Sequence, residues 1–500
     1  MVRRGTLEEL RRRCVVIITP LGRTKQRDYA LLFPGHRRLG VMTTYGQQTF
    51  EGKRAVEKAL TQLVGFQCYV NSHLEMMKYS TGASSWCLST WRGRETGISH
   101  IPTGVRITSL RGTLDGSRSP FEDLTSCLDW VGEYGISPAS ISSMAWSLWR
   151  ASLPGEVSIG FDAEVGRAGL YGGRQEITEP RTYSHMVSAD LRAAYAHGMA
   201  SKPYALALRS VSPETDLDPD IPGMAEASVV VPNDMRHAPL PVRLGPALIQ
   251  FQYGFIRGIW TWHELASARD HGAEVRVSRS WAPRRTDDLF GTWWTMAQTG
   301  RQLPGAASTM AKAIANSLWG QFGMVGDDRA EIRWADEKGE IPYTVDKDPR
   351  KMPHAWTAHI AAETTARVRV QTYRAMAEAP SRPVHVDTDG IFVRSTSELP
   401  TPHGDGYGQW RIKERMEKVE VKAPQLYRWT CRGCGDEHAK WHYVASGISS
   451  ERAPEVFRRG GTPTKVSWRA QFDACLPPAH ANDVGLIEKQ RREAIGLGAA

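Results

Sequence analysis

Hydrophobic and polar positions along the 500-residue chain follow two different periods, and this mixture predicts an α/β protein. Apolar residues recur every three to four positions at 51–64, 137–153 and 358–376, which predicts three helices. Short apolar runs at 14–19 and 66–70 predict strands near the first of these helices. Helices and strands therefore alternate from the beginning of the chain.

The chain is predicted to divide near Pro154-Gly155, because this dipeptide interrupts regular structure. Before it, residues 92–125 are rich in Gly, Ser, Thr and Arg and predict strands and loops. After it, the proline-rich residues 203–285 predict an elaboration rather than a chemical centre. A chain of 500 residues is also too long for one compact core, so two or more subdomains are expected.

The most informative helical period lies at 311–322. Lys312, Asn316 and Trp319 fall at i, i+4 and i+7 and share one face of the predicted helix. An ammonium, an amide and an indole in a column can hold a triphosphate through the lysine and a base by stacking. A solvated face is the plainer alternative, although it would more often carry several charges. The opposite face is apolar and predicted to pack into the core: Met310, Ile314, Leu318 and Phe322.

A tight turn, Asp387-Thr388-Asp389-Gly390, lies between two short apolar runs. An Asp-Gly pair between β-formers predicts a hairpin, because glycine tolerates the positive φ that such turns need. The hairpin would hold two carboxylates at its tip, and crowded carboxylates repel one another unless a cation is bound. An ordinary surface turn is the alternative. A metal site would need a third carboxylate from elsewhere in the chain.

Asp190 offers such a carboxylate. It follows a predicted strand at 186–189 and precedes a helix-like stretch at 191–199. An aspartate at this junction also suits a simple helix cap, so the position has two interpretations. A glycine-rich turn, Tyr171-Gly172-Gly173, comes shortly before the strand.

Composition describes the setting without assigning a function. Apolar content of 41% and charged content of 23% are ordinary for a globular protein, and a net charge of +9 suits a polyanionic partner. Seven scattered cysteines predict a reduced, intracellular chain. No apolar run has the length of a membrane span, so a cytoplasmic protein without a membrane partner is expected.

Three separated segments resemble, in order and spacing, the motifs of family B DNA polymerases. They are Asp190 to Tyr195 (motif A), Lys312 to Gly320 (motif B) and Asp387 to Asp389 (motif C). Tyr171-Gly172-Gly173, ahead of motif A, looks most like the protein-primed phage branch of that family. The resemblance covers about residues 170–430.

The resemblance implies an α/β (α+β) right-hand polymerase. Palm, fingers and short thumb would follow an N-terminal α/β domain that resembles a degenerate exonuclease domain. The implied boundaries are 1–155 for the inactive exonuclease-like domain, 156–285 for the palm with an insertion, 286–330 for the fingers, 331–428 for the palm and 429–500 for the thumb.

The resemblance also implies two divalent cations, Mg²⁺ or Mn²⁺, because nucleotidyl transfer uses a metal pair with oxygen ligands. Asp190 and Asp387 would bridge the two ions. Asp389 would assist them, and the backbone carbonyl of Leu191 could add a further oxygen.

The nucleotide and DNA contacts are implied in the same way. The ring of Tyr195 would leave no room for a 2′-hydroxyl, which implies dNTP over rNTP. The family's primer-contacting Lys-Xaa-Tyr reads Gln425-Leu426-Tyr427 here, with Lys422 upstream. The expected dNTP-binding residues are Tyr195, Lys312, Asn316, Trp319 and Arg301. The expected DNA-binding residues are Tyr171, Gly172, Gly173, Lys422 and Tyr427.

Two departures concern further activities. The family's exonuclease begins with an Asp-Xaa-Glu near the N-terminus, and the first 150 residues contain none. Asp162-Ala-Glu164 has that spacing but lies just ahead of Tyr171, and Tyr69-Val70-Asn71 resembles the second exonuclease motif without its aspartate. No 3′–5′ proofreading is therefore expected. A zinc site is a further hypothesis, with a plain hairpin tip as the alternative. Its ligands would be Cys431, Cys434, His438 and His442.

The expected function is template-directed DNA synthesis from a 3′-hydroxyl, with primer–template DNA and dNTPs as partners. A catalytically idle DNA-binding scaffold of a phage or mobile-element replication complex is the alternative. A reverse transcriptase is a third option, although its hairpin normally carries adjacent aspartates. Priming by a terminal protein, other replication proteins as partners and a bacterial host cytoplasm would follow from a phage origin.

Overall fold

In the computed structural model the described residues are 29–35, 38–43, 46–51, 53–63, 67–71, 86–91, 94–100, 105–155, 157, 159, 163–178, 180–243, 249–323, 329–332, 343–346, 357–423, 426–431, 441–445 and 453–459. The strand predicted at 14–19 lies outside them. No helix among the described residues is both long and apolar enough to cross a membrane.

The N-terminal part of the chain is built on a mixed sheet of seven strands in the order β3-β2-β1-β4-β7-β6-β5. β4 pairs in parallel with β1 and β7, and the other pairs are antiparallel. This agrees with the predicted α/β character. The elements are β1 (Tyr29–Gly35), β2 (Arg38–Thr43), β3 (Gly46–Glu51), α1 (Lys53–Gln62), β4 (Gln67–Val70), β5 (Trp86–Trp91), β6 (Arg94–His100) and β7 (Arg106–Ser109).

Two helices, α2 (Pro120–Glu133) and α3 (Ile141–Ser152), follow this sheet. The prediction of strands and loops up to residue 125 is wrong at its end, because α2 begins at Pro120. A proline is favourable at the first helical position, and two acidic residues in the first turn complement the helix dipole. The helix predicted at 137–153 is confirmed but begins later, at the cap Ser140, whose side chain accepts a hydrogen bond from the Ser143 amide.

Residues 163–287 contribute two strands to a second large sheet and also form a separate antiparallel sheet in the order β10-β15-β11-β14. Trp260 and Trp262 are buried under the separate sheet. The elements are α4 (Ala163–Ala168), β8 (Gln175–Ile177), β9 (Thr182–Leu191), α5 (Ala194–Ala200), β10 (Tyr204–Val211), β11 (Met224–Val231), β12 (Pro241–Arg243), β13 (Ile249–Phe251), β14 (Gly254–Thr261), α6 (Trp262–Asp270) and β15 (Glu274–Asp287).

The next part is mainly helical. The apolar face predicted around residue 314 is confirmed, since all four of its side chains are fully buried in one aromatic-rich core with α2 and α3. Trp293 and Trp294 are also buried there, so packing explains them. The elements are α7 (Gly291–Gly300), α8 (Gly305–Ser317), α9 (Trp319–Phe322), β16 (Arg329–Ile332), β17 (Tyr343–Asp346) and α10 (Ala358–Glu378).

The remaining described residues complete the second large sheet, which has the order β22-β21-β20-β9-β19-β18-β8. The predicted hairpin is confirmed as β18–β19, with Asp387 opposite Gly390. The reason given for it is wrong, because Thr388, with φ 62°, takes the positive φ of the turn, while Gly390 is paired in β19. The domain boundaries stay predictions, and β21 and β22 continue this sheet. The elements are β18 (His385–Asp387), β19 (Gly390–Val393), a short 3-10 helix (Thr396–Glu398), β20 (Trp410–Ala423), β21 (Leu426–Cys431), β22 (His442–Ala445) and α11 (Ala453–Arg459).

Candidate active site

The second sheet brings together the carboxylates of two distant segments. β9 lies between β19 and β20, and Asp190 on β9 faces Gly390 on one side and Arg411 on the other. The amide of Leu191 donates to the carbonyl of Asp389 over 2.7 Å, which ties the end of β9 to the hairpin. Asp190 therefore belongs to a strand and does not cap the following helix, whose N-cap is Ala193 with φ 58°.

The glycine-rich turn and the next residue, Arg174, contact the tip of the β18–β19 hairpin. The Thr388 amide donates to the carbonyl of Arg174 over 2.6 Å, and Thr372 Oγ1 donates to the carbonyl of Thr388 over 2.8 Å. A Cβ on Gly173 would lie 2.6 Å from the Thr388 side chain, so this close approach requires glycine. Tyr171 itself is buried. The DNA contacts of this turn stay a prediction.

Buried Arg369 holds the same turn in place from α10. Its Nη1 donates to the carbonyls of Tyr171 and Gly172 over 2.6 and 2.9 Å. Its guanidinium also pairs with buried Glu264 at 2.7 Å. A buried ion pair of this kind orients the backbone that it contacts, because neither charge can be left without its partner.

The three aspartates have different electrostatic surroundings. Arg411 donates from Nε and Nη2 to the two carboxylate oxygens of Asp190, over 3.0 and 3.2 Å. Gln175 Nε2 donates to Asp387 Oδ1 over 3.2 Å. Burial, together with the negative charges of Asp190 and Asp387, raises the pKa of Asp389 to about 6. The carboxylates are therefore close enough to repel one another.

These residues suit a hard divalent cation by their chemistry. Anionic oxygen donors at neighbouring strand ends, one with a pKa raised by burial and by the other two carboxylates, favour Mg²⁺ or Mn²⁺. Within the part of the chain that the structure describes, no three His, Cys, Asp or Glu side chains are already arranged as a metal-ligand group. Asp190 instead directs both oxygens at Arg411.

Asp389→Asn is expected to stabilise the metal-free protein at pH 8 by roughly 1–3 kcal/mol. The pKa of Asp389 in the folded state, about 6, lies above its ordinary value of 3.8. The ionised carboxylate therefore destabilises the folded state, and protonation removes this destabilisation. The gain should therefore shrink as the pH falls from about 6 towards 4. Denaturant unfolding in EDTA at pH 8 and pH 5 measures this difference. Equal or lower stability of the variant at pH 8 would contradict the expectation.

The aspartates line an open cleft of about 430 Å³, together with Leu191. Such a volume accommodates a ligand the size of a nucleotide. The other sequence-predicted residues that line it are Tyr195, Arg301, Lys312, Asn316 and Tyr427.

Of the two predicted aromatic contacts, Tyr195 lines the cleft, while Trp319 is not among its lining residues and stacks on Tyr195. Tyr195 and Trp319 lie with their centroids 4.7 Å apart and their planes at 10°. Trp319 begins the short helix α9 and packs behind Tyr195. Burial raises the pKa of Tyr195, so its phenol is neutral. A stacked, uncharged ring of this kind forms a rigid steric boundary.

Several cations also line the cleft, among them Lys312, Arg301 and Arg411. Desolvation and the positive charges of Arg301 and Arg411 lower the pKa of Lys312. Burial lowers the pKa of Arg301, whose Nε and Nη2 atoms have no hydrogen-bond partner among the described residues. Clustered cations with free donors favour a polyanionic ligand such as a triphosphate.

Of the two residues predicted to contact the primer, Tyr427 lines the cleft and Lys422 does not. Tyr427 lines the cleft, and burial raises its pKa to about 12. Lys422 instead donates to the carbonyl of Phe457 over 2.7 Å and lies over that ring, which joins β20 to α11. Gln425 lies outside the described residues.

The zinc hypothesis receives little structural support. Cys431 is disulfide-bonded, and its sulfur lies 3.4 Å from Nε2 of His442. Zinc binds thiolates, and a half-cystine provides none. The prediction of a reduced chain is wrong at Cys431. Cys434 and His438 lie outside the described residues, so the four-ligand site stays a prediction.

The residues considered for proofreading are described only in part. Tyr69 is buried and donates to the carbonyl of Ala139, while Asn71 donates to Asp115 over 2.6 Å. Asp162 and the side chain of Glu164 lie outside the description.

Sequence reasoning missed the cations on β20. Arg411 and Lys413 line the cleft, as does Tyr407, over whose ring Arg192 and Arg301 lie at 4.6 and 5.6 Å. Strand pairing alone places Arg411 beside Asp190, and no local motif indicates it.

Comparison with solved structures shows the architecture. Phi29 DNA polymerase bound to primer-template DNA matches with a TM-score of 0.63 at 12% identity, over 86% of this chain and 94% of that chain. Its ternary complex with incoming nucleotide matches with a TM-score of 0.63 at 11% identity, over 87% and 94%.

The chain has the fold of phi29 DNA polymerase. This confirms the polymerase fold predicted from the three motifs. No family model matches the chain, and neither does any curated protein. At 12% identity the likeness to phi29 DNA polymerase establishes the fold, and the chemistry has to be argued from the residues in the cleft.

Proposed function

We propose that this chain is a template-directed DNA polymerase that adds deoxynucleoside monophosphates to a 3′-hydroxyl. One observation carries the proposal: Asp190 and the aspartates of the β18–β19 hairpin share a cleft with Lys312 and the ring of Tyr195. The phi29 DNA polymerase structures that share this fold contain primer-template DNA and, in one case, incoming nucleotides. Both ligands suit a basic cleft beside three carboxylates.

Asp190 and Asp387 would hold two divalent cations, with Asp389 and the Leu191 carbonyl as further oxygen donors. Such ions, when bound, activate the attacking hydroxyl and stabilise the charge on the leaving pyrophosphate. The carboxylates must be ionised for this role. In the metal-free site the pKa of Asp389 is raised to about 6, so metal binding should weaken as the pH falls below that value.

The remaining roles follow from the walls of the cleft. Lys312 and Arg301 would bind the triphosphate, since both are cations that line the cleft and Arg301 has unused donors. Asn316, one turn beyond Lys312 on α8, would contact the nucleotide from the same helix face. Tyr195, held by its stack on Trp319, would pack against the sugar and exclude a 2′-hydroxyl.

We also propose that the enzyme lacks 3′–5′ proofreading, because the N-terminal region has no Asp-Xaa-Glu where such an activity would begin.

A catalytically idle DNA-binding scaffold is the second candidate. The ion pair between Arg411 and Asp190 favours it, because an arginine on a metal-ligating carboxylate opposes metal binding. The retained Lys312 and the hairpin carboxylates favour the enzyme, since a scaffold has no need of them.

Extension of a labelled primer–template with Mg²⁺ and four dNTPs tests the proposal. The wild-type protein should extend the primer, and Asp387→Asn should not, while both bind the DNA equally. Binding without extension by either protein would favour the scaffold, once a protein primer has been tested. A mismatched primer incubated without dNTPs should keep its length, and its shortening would contradict the absence of proofreading.

A further inference from the structure

Arg411 occupies the position from which it can compete with a metal ion for Asp190. The two residues are directly opposite one another on β20 and β9. The guanidinium engages both carboxylate oxygens in a two-pronged contact, which is a geometry that arginine favours. A cation that binds Asp190 must take over at least one of these oxygens.

The contact is open to exchange. The side chains of Arg411 and Asp190 are 38% and 23% exposed, so water can replace either partner as the pair separates. The guanidinium keeps its positive charge at every accessible pH. Arg411 therefore opposes a metal ion by charge as well as by occupancy.

The released arginine would meet other cations in the same cleft. Arg411 lies close enough to Lys312 and Arg301 for its charge to lower the pKa of both. Leaving Asp190 would thus be unfavourable unless an anion entered with the metal. A triphosphate brings several anionic oxygens to this side of the cleft and would accept the guanidinium.

We propose that Arg411 is a positioning residue that couples metal binding at Asp190 to binding of the nucleotide triphosphate. Without nucleotide it holds Asp190 and weakens metal binding. When metal and nucleotide bind together, it moves to the phosphate oxygens and leaves Asp190 to the metal. This inference rests on the proposed polymerase function. Linkage requires that metal and nucleotide then strengthen each other's binding by the same factor.

Lys413 provides a matched control. It lines the same cleft and sits two residues along the same strand, and its charge acts on Asp389 and Lys312. Among the described residues it makes no ion pair with Asp190, whose carboxylate is held by Arg411. Lys413→Met and Arg411→Met thus remove the same charge, but only the second removes the contact.

The first measurement is the affinity of the nucleotide-free protein for Mn²⁺, detected by electron paramagnetic resonance. Arg411→Met should bind Mn²⁺ at least about fivefold more tightly than wild type, and clearly more tightly than Lys413→Met. Arg411→Lys keeps the charge without the two-pronged contact, so its Mn²⁺ affinity should lie between those of wild type and Arg411→Met. Equal affinities of Arg411→Met and Lys413→Met would overturn the proposal.

The second measurement is dATP binding with and without Mn²⁺. Arg411→Met should weaken dATP binding at least about fivefold with Mn²⁺ and by less than about twofold without it. Equal losses in both conditions would make Arg411 an ordinary phosphate ligand and would overturn the coupling. Thermal unfolding of each variant shows whether it is folded.

Asp387→Asn separates this inference from the proposed function. If that variant loses the Mn²⁺ site while Arg411→Met behaves like Lys413→Met, the polymerase proposal stands and the coupling fails. If Asp387→Asn binds Mn²⁺ as wild type does, the metal lies elsewhere, and both proposals fail.

Discussion

Asp190→Asn is expected to lower the rate of primer extension by about a thousandfold or more, which corresponds to about 4 kcal/mol of transition-state stabilisation. The substitution keeps the size of the side chain and removes the charge that would hold a cation. The fold should persist, because Asp190 is partly exposed and its backbone remains in β9 between two paired strands. Single-turnover extension at saturating dNTP measures the rate, and fluorescence anisotropy measures DNA binding.

Asp405→Asn is the matched control for that variant. Asp405 is an exposed carboxylate whose charge reaches Arg411 but which does not line the cleft. Its loss should change the extension rate by less than about threefold. An Asp190→Asn protein that kept more than a tenth of the wild-type rate would show that this carboxylate is not a metal ligand.

Tyr195→Val is expected to raise incorporation of rNTP relative to dNTP by roughly 100-fold. The ring of Tyr195 lies flat against Trp319, so it cannot rotate away from a bulkier sugar without losing this stack. Removing the ring opens the space that a 2′-hydroxyl would occupy. Competing single-nucleotide incorporation, measured as the ratio of kcat/KM values, reports the discrimination.

Tyr195→Phe provides the control, since it keeps the ring and its stack and removes only the hydroxyl. It should discriminate between the sugars as wild type does. Trp319→Ala should relax discrimination in the same direction, because it removes the support behind the ring. Efficient synthesis by the wild-type protein on rNTPs alone would contradict the assignment of Tyr195.

Local pattern was a good guide wherever the structure depends on near neighbours in the chain. The apolar face of α8 and α9 and the β18–β19 hairpin form where predicted, because helical spacing and short-range turn propensity act over a few residues. The hairpin turn nevertheless takes its positive φ at Thr388 and not at the glycine. The predicted start of α3 was four residues early and α2 was missed in part, since a proline suits both a loop and a first helical turn.

The sequence by itself determined which groups are available: two carboxylates in one turn, a third at the end of an apolar strand, and a Lys-Asn-Trp column on one helix face. Tertiary structure decided which of them meet. It placed β9 between β19 and β20, set Arg411 against Asp190 and directed Lys422 away from the cleft towards α11. Pairing between strands far apart in the chain depends on the register and packing of the whole sheet, which short-range pattern does not encode.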